Sequence, residues 1–179
     1  MSILQPFTTK HSIAIKVTEE HFPEIETVLI ENRKTLLLLS PQLNIQQEAV
    51  DYVSYNNLPP NGLPERVRTF LLLNKKLMKT TGFLSMYLGY PQEATFYIGS
   101  LFLRPGFQRK GYGREVVKFI ETELLEEGYI EGRVAVGLKN WSALRFWSKL
   151  GYDRVTKISG DKKYAPENFG TIELCNRLI

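Results

Sequence analysis

Six consecutive residues, Gln108-Arg109-Lys110-Gly111-Tyr112-Gly113, bring two bases and two glycines together a short turn, Arg104-Pro105-Gly106-Phe107, after the apolar stretch Leu101-Phe102-Leu103. Glycine lets a ligand approach the backbone closely. A helix that begins inside the glycines turns its free N–H groups and the positive end of its dipole toward whatever sits there. Arg109, Lys110 and Arg114 add charge. The chemistry this arrangement suits is phosphate binding. A nucleoside-triphosphate loop is disfavoured, because Tyr112 and Gly113 stand where Lys and Ser/Thr belong. A dinucleotide fingerprint is disfavoured as well, because Val116 replaces its third glycine.

A second stretch lies one helix and one strand downstream. It reads N-x-x-A-x-x-F-W-x-K-x-G-Y, from Asn140 through Ala143, Phe146, Trp147, Lys149 and Gly151 to Tyr152. The pattern Q-x-x-G-x-G at the end of a strand, followed by this helix, resembles the GNAT family of N-acetyltransferases. The resemblance covers about residues 66–176, with the earlier part matching the family's variable N-terminal third. It implies acetyl-CoA as acetyl donor, its pyrophosphate held by backbone N–H groups from Gln108 to Gly113. It also implies that the backbone of Leu101, Phe102 and Leu103 pairs with the pantetheine arm. The N–H near Leu103 would then polarise the thioester carbonyl, where a fixed amide stabilises an oxyanion. Asn140 would reach toward the same arm, with Ala143 and Phe146 lining it, although Asn140 is equally well read as a plain helix cap.

Two departures from the family pattern concern catalysis. Trp147 stands where many members carry a Tyr that protonates the leaving thiolate. An indole N–H donates a hydrogen bond but is no usable acid, so core packing is the favoured reading. The fourth strand, Ala94–Leu103, contains no Asp or Glu. Glu93 at its start, and Tyr97 and Ser100 within it, are the polar choices. A lysine-like amine has a pKa of about 10.4 and must lose a proton before attack. Glu93 or Tyr97, relayed through water, are the candidate bases.

These residues must be positioned by a recognisable run of elements. Ile13, Ile15 and Val17 alternate with polar or small neighbours, as in a strand. Thr18 then caps a helix carrying Phe22, Ile25, Val28 and Leu29, and Ser40-Pro41 stops the helix that bears the Leu run. Ile45, Ala49, Tyr52 and Val53 suggest a second helix, and 56–64 is a Pro-rich loop. Val67–Leu73, Leu77–Leu88 and Ala94–Leu103 read as an antiparallel meander. A helix over Gly111–Glu127, a strand over Arg133–Leu138, a helix over Trp141–Leu150 and strands over Tyr152–Ile158 and Thr171–Asn176 follow. The expected fold is α/β (α+β): one GNAT-type domain over 1–179 with a mixed, mostly antiparallel sheet of about seven strands and helices on both faces. The loops 56–64 and Ser159–Gly170 would wall the acceptor site.

The rest of the sequence narrows the function. The 179 residues suit one ordinary domain. One Cys, Cys175, and two His leave no disulfide framework and no metal site. Cys175 reads as a buried hydrophobe, and His11 and His21 as surface residues. A net charge of +4 is too mild and scattered to argue for nucleic acid or a ribosomal partner. No membrane segment or leader is read, so the expected compartment is the cytoplasm. The resemblance implies transfer of an acetyl group to a primary amine, on a small molecule or peptide, by direct attack. The rival is a non-catalytic acyl-CoA-binding or regulatory module on the same fold. A homodimer stays open.

Overall fold

The computed structural model describes residues 5–40 and 42–178. The stop assigned to Pro41 and the first four residues of the leader reading lie outside them. The chain begins with β1 (Phe7–Thr8), β2 (Ser12–Lys16), α1 (Phe22–Glu31), α2 (Arg33–Leu36) and α3 (Ile45–Val53). It continues with β3 (Val67–Asn74), β4 (Thr80–Leu88), β5 (Thr95–Leu103), α4 (Tyr112–Glu126), β6 (Glu131–Gly137), α5 (Trp141–Lys149), β7 (Arg154–Gly160) and β8 (Gly170–Arg177). The strands form one eight-stranded sheet in the order β1-β2-β3-β4-β5-β6-β8-β7. The strand beyond the expected seven is β1, a two-residue pairing with β2, too short to carry any periodicity.

Alternation along the strands splits the core in two. Phe70, Leu72, Leu84 and Met86 face α4 and α5, meeting Val116, Val117, Ile120 and Trp147. Their neighbours Leu71 and Phe83 face the other way, onto Ile25, Val28 and Leu29 of α1 and Ala49 and Tyr52 of α3. Period two in the strands and period 3.6 in the helices therefore place helices on both faces. Cys175 is buried, as its apolar neighbours suggest.

The pair β5–β6 is parallel, while the other neighbouring pairs are antiparallel. A parallel pair requires a crossover, and α4 supplies it. The parallel register runs from Thr95↔Glu131 to Ile98↔Val134 and stops there. On its other edge, β5 slips register against β4 between Ser85 and Met86, leaving Gly99 as an extra residue. Such a bulge bends its strand and increases the local twist. Beyond Gly99 the two central strands part, and the split opens a cleft in the sheet.

Candidate active site

A cavity of about 1100 Å³ occupies this split. One wall is the freed edge of β5, from Ile98 to Leu103, and the other is Val134–Gly137 of β6 with Asn140, Ala143, Phe146 and Trp147. Its charged lining is four bases, Arg109, Arg114, Arg145 and Lys149, against one acid, Glu48, among the described residues. Burial, and after it the charge of Asp51, raises the Glu48 carboxyl above the ordinary carboxylate range. This is a field suited to a polyanion with an elongated amide-bearing arm.

The anion end is built by the turn between β5 and α4. Arg109 and Gly111 both have positive φ, 57° and 90°, which swings the chain from strand into helix. The first intrahelical bond is Glu115 N–H to Gly111 O at 3.0 Å, so the N–H groups of Tyr112, Gly113 and Arg114 lie ahead of the ladder. Gly111 borders open space, with no atom within 4 Å of where a Cβ would stand. Gly113 differs: a Cβ there would meet Phe146 Cζ at 3.2 Å and Leu103 Cδ1 at 3.5 Å. Its missing side chain lets α4 close onto α5 and β5, so the two glycines serve different ends.

The other loop residues divide as well. Arg109, Arg114 and Gln108 border the cavity. The Gln108 side chain turns inward, its Nε2 donating to Leu103 O at 2.8 Å and to Asn32 Oδ1 at 3.1 Å. Asn32 Nδ2 in turn donates to Leu103 O at 3.1 Å and Val28 O at 2.8 Å. These bonds clamp the end of β5 to α1. Lys110 and Tyr112 do not line the cavity: Lys110 Nζ folds back onto Gly106 O, and Tyr112 Oη accepts from Asn74 Nδ2 at 2.7 Å. Asn140 caps α5, its Oδ1 accepting from Ala143 N–H at 3.1 Å, and also borders the cavity. Trp147 is buried and lies edge-on to the rings of Phe146 and Tyr152, which is a packing role.

A second cavity of about 410 Å³ opens toward loop residues 57–60 and the β7–β8 hairpin. Tyr52, Gly99, Ser100 and Ala135 line both cavities. The two therefore meet where β5 and β6 part. Its walls carry Tyr87, Tyr90, Tyr97, Lys157 and Glu173. Glu173 Oε1 accepts from Arg133 Nη1 at 2.9 Å and from Thr156 Oγ1 at 2.5 Å, and Oε2 accepts from Tyr97 Oη at 3.2 Å. Burial, and after it the Glu173 charge, pushes the Tyr97 phenol well above its ordinary value. Glu93 is not among the residues lining either cavity. It sits on the exposed β4–β5 turn with both carboxylate oxygens 3.0 Å from Arg66 Nη1.

Sequence reasoning missed Tyr52, Asn32 and Glu173. A search for a base confined to the fourth strand passed over the carboxylate in the apolar run Thr171-Ile172-Glu173-Leu174-Cys175. That unpaired polarity in a last strand was the available signal. Among the described residues no group of three His, Cys, Asp or Glu side chains stands where it could hold a metal, and no helix is long and apolar enough to cross a membrane.

An acetyltransferase from Thermus thermophilus is 20% identical over 96% of this chain and 99% of its own, with a TM-score of 0.70. A ribosomal L7/L12 alpha-N-protein acetyltransferase solved with coenzyme A is 14% identical over 97% and 98%, with a TM-score of 0.74. An acetyl transferase from Salmonella typhimurium, which modifies the N-terminal serine of the 50S ribosomal protein L7/L12, is 15% identical over 94% and 96%, with a TM-score of 0.73. At these identities the likeness is one of fold. Residues 39–152 match the acetyltransferase (GNAT) family, well over half of the sequence, so the chain belongs to the GNAT family of acetyltransferases.

Proposed function

We propose that the protein is an N-acetyltransferase that takes the acetyl group from acetyl-CoA and passes it to a primary amine on a small molecule or peptide, by direct attack and without an acyl-enzyme. The observation that carries this reading is the meeting of two cavities at Gly99, Ser100 and Ala135, where β5 and β6 separate. One cavity is basic and long; the other is aromatic and holds a carboxylate. A thioester at the junction lies open to attack from the second cavity.

In this reading the N–H groups ahead of α4 and the side chains of Arg109 and Arg114 hold the diphosphate. The freed edge of β5 offers backbone partners to the amides of the pantetheine arm. Acetyl-CoA supplies an activated acyl group, and the protein supplies orientation and charge. In the second cavity Glu173 draws in the ammonium form of the acceptor, and the rings of Tyr87, Tyr90 and Tyr97 favour a cation at their faces. Glu173, fixed by Arg133, Thr156 and Tyr97, directs the departing amine proton to water. Tyr97 keeps its own proton and acts as a donor that fixes Glu173. Glu93, tied to Arg66 outside the cavities, has no part.

Calorimetric titration with acetyl-CoA, followed by thiol release against polyamines, amino acids, aminoglycosides and peptide N-termini, tests this. Saturable binding together with amine-dependent CoA release is expected. Failure to bind acetyl-CoA overturns it, and binding without release for any amine favours the acyl-CoA-binding module.

A further inference from the structure

Tyr52 and Ser100 line both cavities, and their hydroxyl oxygens are 2.5 Å apart. They come from different elements. Tyr52 reaches down from α3, its ring against Phe83 with centroids 4.7 Å apart, and Ser100 follows the Gly99 bulge on β5. Among the described residues no other that borders both cavities has a side-chain proton to donate, since the remaining two are Gly99 and Ala135. The pair stands at the junction where a thioester would have to react, in a protein whose α5 carries Trp147 in place of a protic acid.

Building on the acetyl-transfer reading above, we infer that Ser100, oriented by Tyr52, is the hydrogen-bond donor to the sulfur as it departs. Tyr52 donates to Ser100 Oγ, and the Ser100 hydroxyl hydrogen is thereby turned toward the junction. Ser100 is the catalytic residue and Tyr52 its positioning residue. The acceptor nitrogen bonds to the thioester carbon, and the carbonyl π pair moves onto oxygen. On collapse the C–S bond breaks and its electron pair stays on sulfur. The ammonium loses one proton to water before it attacks and the nitrogen loses a second to water before collapse, and the thiolate leaves as an anion that takes its proton from solvent. Ser100 transfers no proton.

The surroundings of Tyr52 fit a donor and not an acid. Burial pushes its phenol up to about 12, and Glu48 and Asp51 on the same helix add to the rise. A thiolate whose conjugate acid has a pKa of about 8.5 does not remove a proton from such a phenol. It does gain from a hydrogen bond to its charge.

The test reads the thiol of bound CoA by the ultraviolet absorbance of its thiolate against pH, with the desulfo-CoA complex subtracted to remove the buried Cys175. Parent protein, Ser100→Ala, Ser100→Thr and Tyr52→Phe are compared, with CoA affinity by calorimetry and melting temperature recorded for each. The bound thiol should titrate about one to two pH units lower in the parent than in Ser100→Ala, the worth of one hydrogen bond to a charged group. Ser100→Thr should restore the low value, and Tyr52→Phe should fall between. Turnover should drop about 10²-fold in Ser100→Ala, as for loss of one donor to developing charge, and the Tyr52→Phe change should add nothing in that background. If CoA binds equally and its thiol titrates alike in parent and Ser100→Ala, the donor role is wrong while the acetyl-transfer reading stands. If Ser100→Ala or Tyr52→Phe loses CoA binding or melting temperature in step with its turnover, the pair is structural and the donor role is overturned. If the parent does not bind CoA at all, both fall together.

Discussion

Replacing Gly111 by Asp places one negative charge in the mouth of the proposed diphosphate site, and Gly111→Asn is its isosteric neutral control. The space at this position admits either residue, and both carry the strain of its positive φ. Nothing lies within 4 Å of a Cβ there, and Asn and Asp are the non-glycine residues that best tolerate its φ of 90°. Any residual backbone strain is common to both variants and cancels in the comparison. At the start of α4 the added carboxylate is favoured by the helix dipole by about 0.3–1 kcal/mol, so the ligand-free Asp variant should melt at or slightly above the Asn variant. Binding should move the opposite way. A charge about 5 Å from a diphosphate carrying about two charges is repelled by about 1.7 kcal/mol at the dielectric constant of water and about four times that at an effective value of 20. Screening at physiological salt roughly halves both figures. The dissociation constant for acetyl-CoA should therefore rise at least about fourfold from Asn to Asp, as read by calorimetry, with the gap narrowing as salt is added. Equal affinity for the two variants refutes diphosphate binding at this turn.

Glu173→Gln should lower turnover by about 10²-fold or more with acetyl-CoA affinity unchanged, whereas Glu93→Gln, an exposed substitution, should stay within about twofold; steady-state rates at saturating acetyl-CoA separate them. Trp147→Phe should keep turnover within a few-fold while costing about 1–2 kcal/mol in a denaturant titration, because a buried ring is trimmed and no proton donor is lost. For Glu115, burial raises the carboxyl but hydrogen bonds from Thr9 and His11 outweigh it and hold it below 4.5. A lowered carboxyl stabilises the fold at pH values above its unfolded pKa, and that contribution fades as pH falls through the folded value. Glu115→Gln should thus cost up to about 1 kcal/mol at pH 7, and melting curves should show the deficit shrinking as pH falls through the carboxylate range.

The elements that carry the chemistry were legible because their signals are local. Alternation in 67–103, the glycines after Leu103 and the apolar stripe of Trp141–Leu150 each depend on residues near in sequence; the helices Tyr112–Glu126 and Trp141–Lys149 differ from the readings by at most one residue at each end, whereas the strand read from Leu77 begins at Thr80. The split of the sheet was not legible. It follows from one extra residue, Gly99, against a partner strand, and register is a property of two strands together. The junction residues were hidden for the same reason, since Tyr52 and Ser100 are 48 positions apart. Glu173 is brought beside Tyr97 by a partner 76 positions away. Gly113 shows the opposite failure. Its motif position was read as the close approach of a ligand, whereas the structure brings Phe146 against it, so a bulky side chain there would wedge α4 off the sheet.

A crystal structure of the protein with a non-hydrolysable acetyl-CoA analogue, in which a methylene replaces the thioester sulfur, tests the meeting of the two cavities most directly. The diphosphate should lie against the N–H groups ahead of α4, and the arm should run along the freed edge of β5. The analogue's carbonyl should then sit between Ser100 and Ala135, facing the cavity that holds Glu173, with the replaced sulfur position within about 3.5 Å of Ser100 Oγ. An analogue whose carbonyl lies away from that junction, walled off from the Glu173 cavity, would contradict transfer at the parting of β5 and β6.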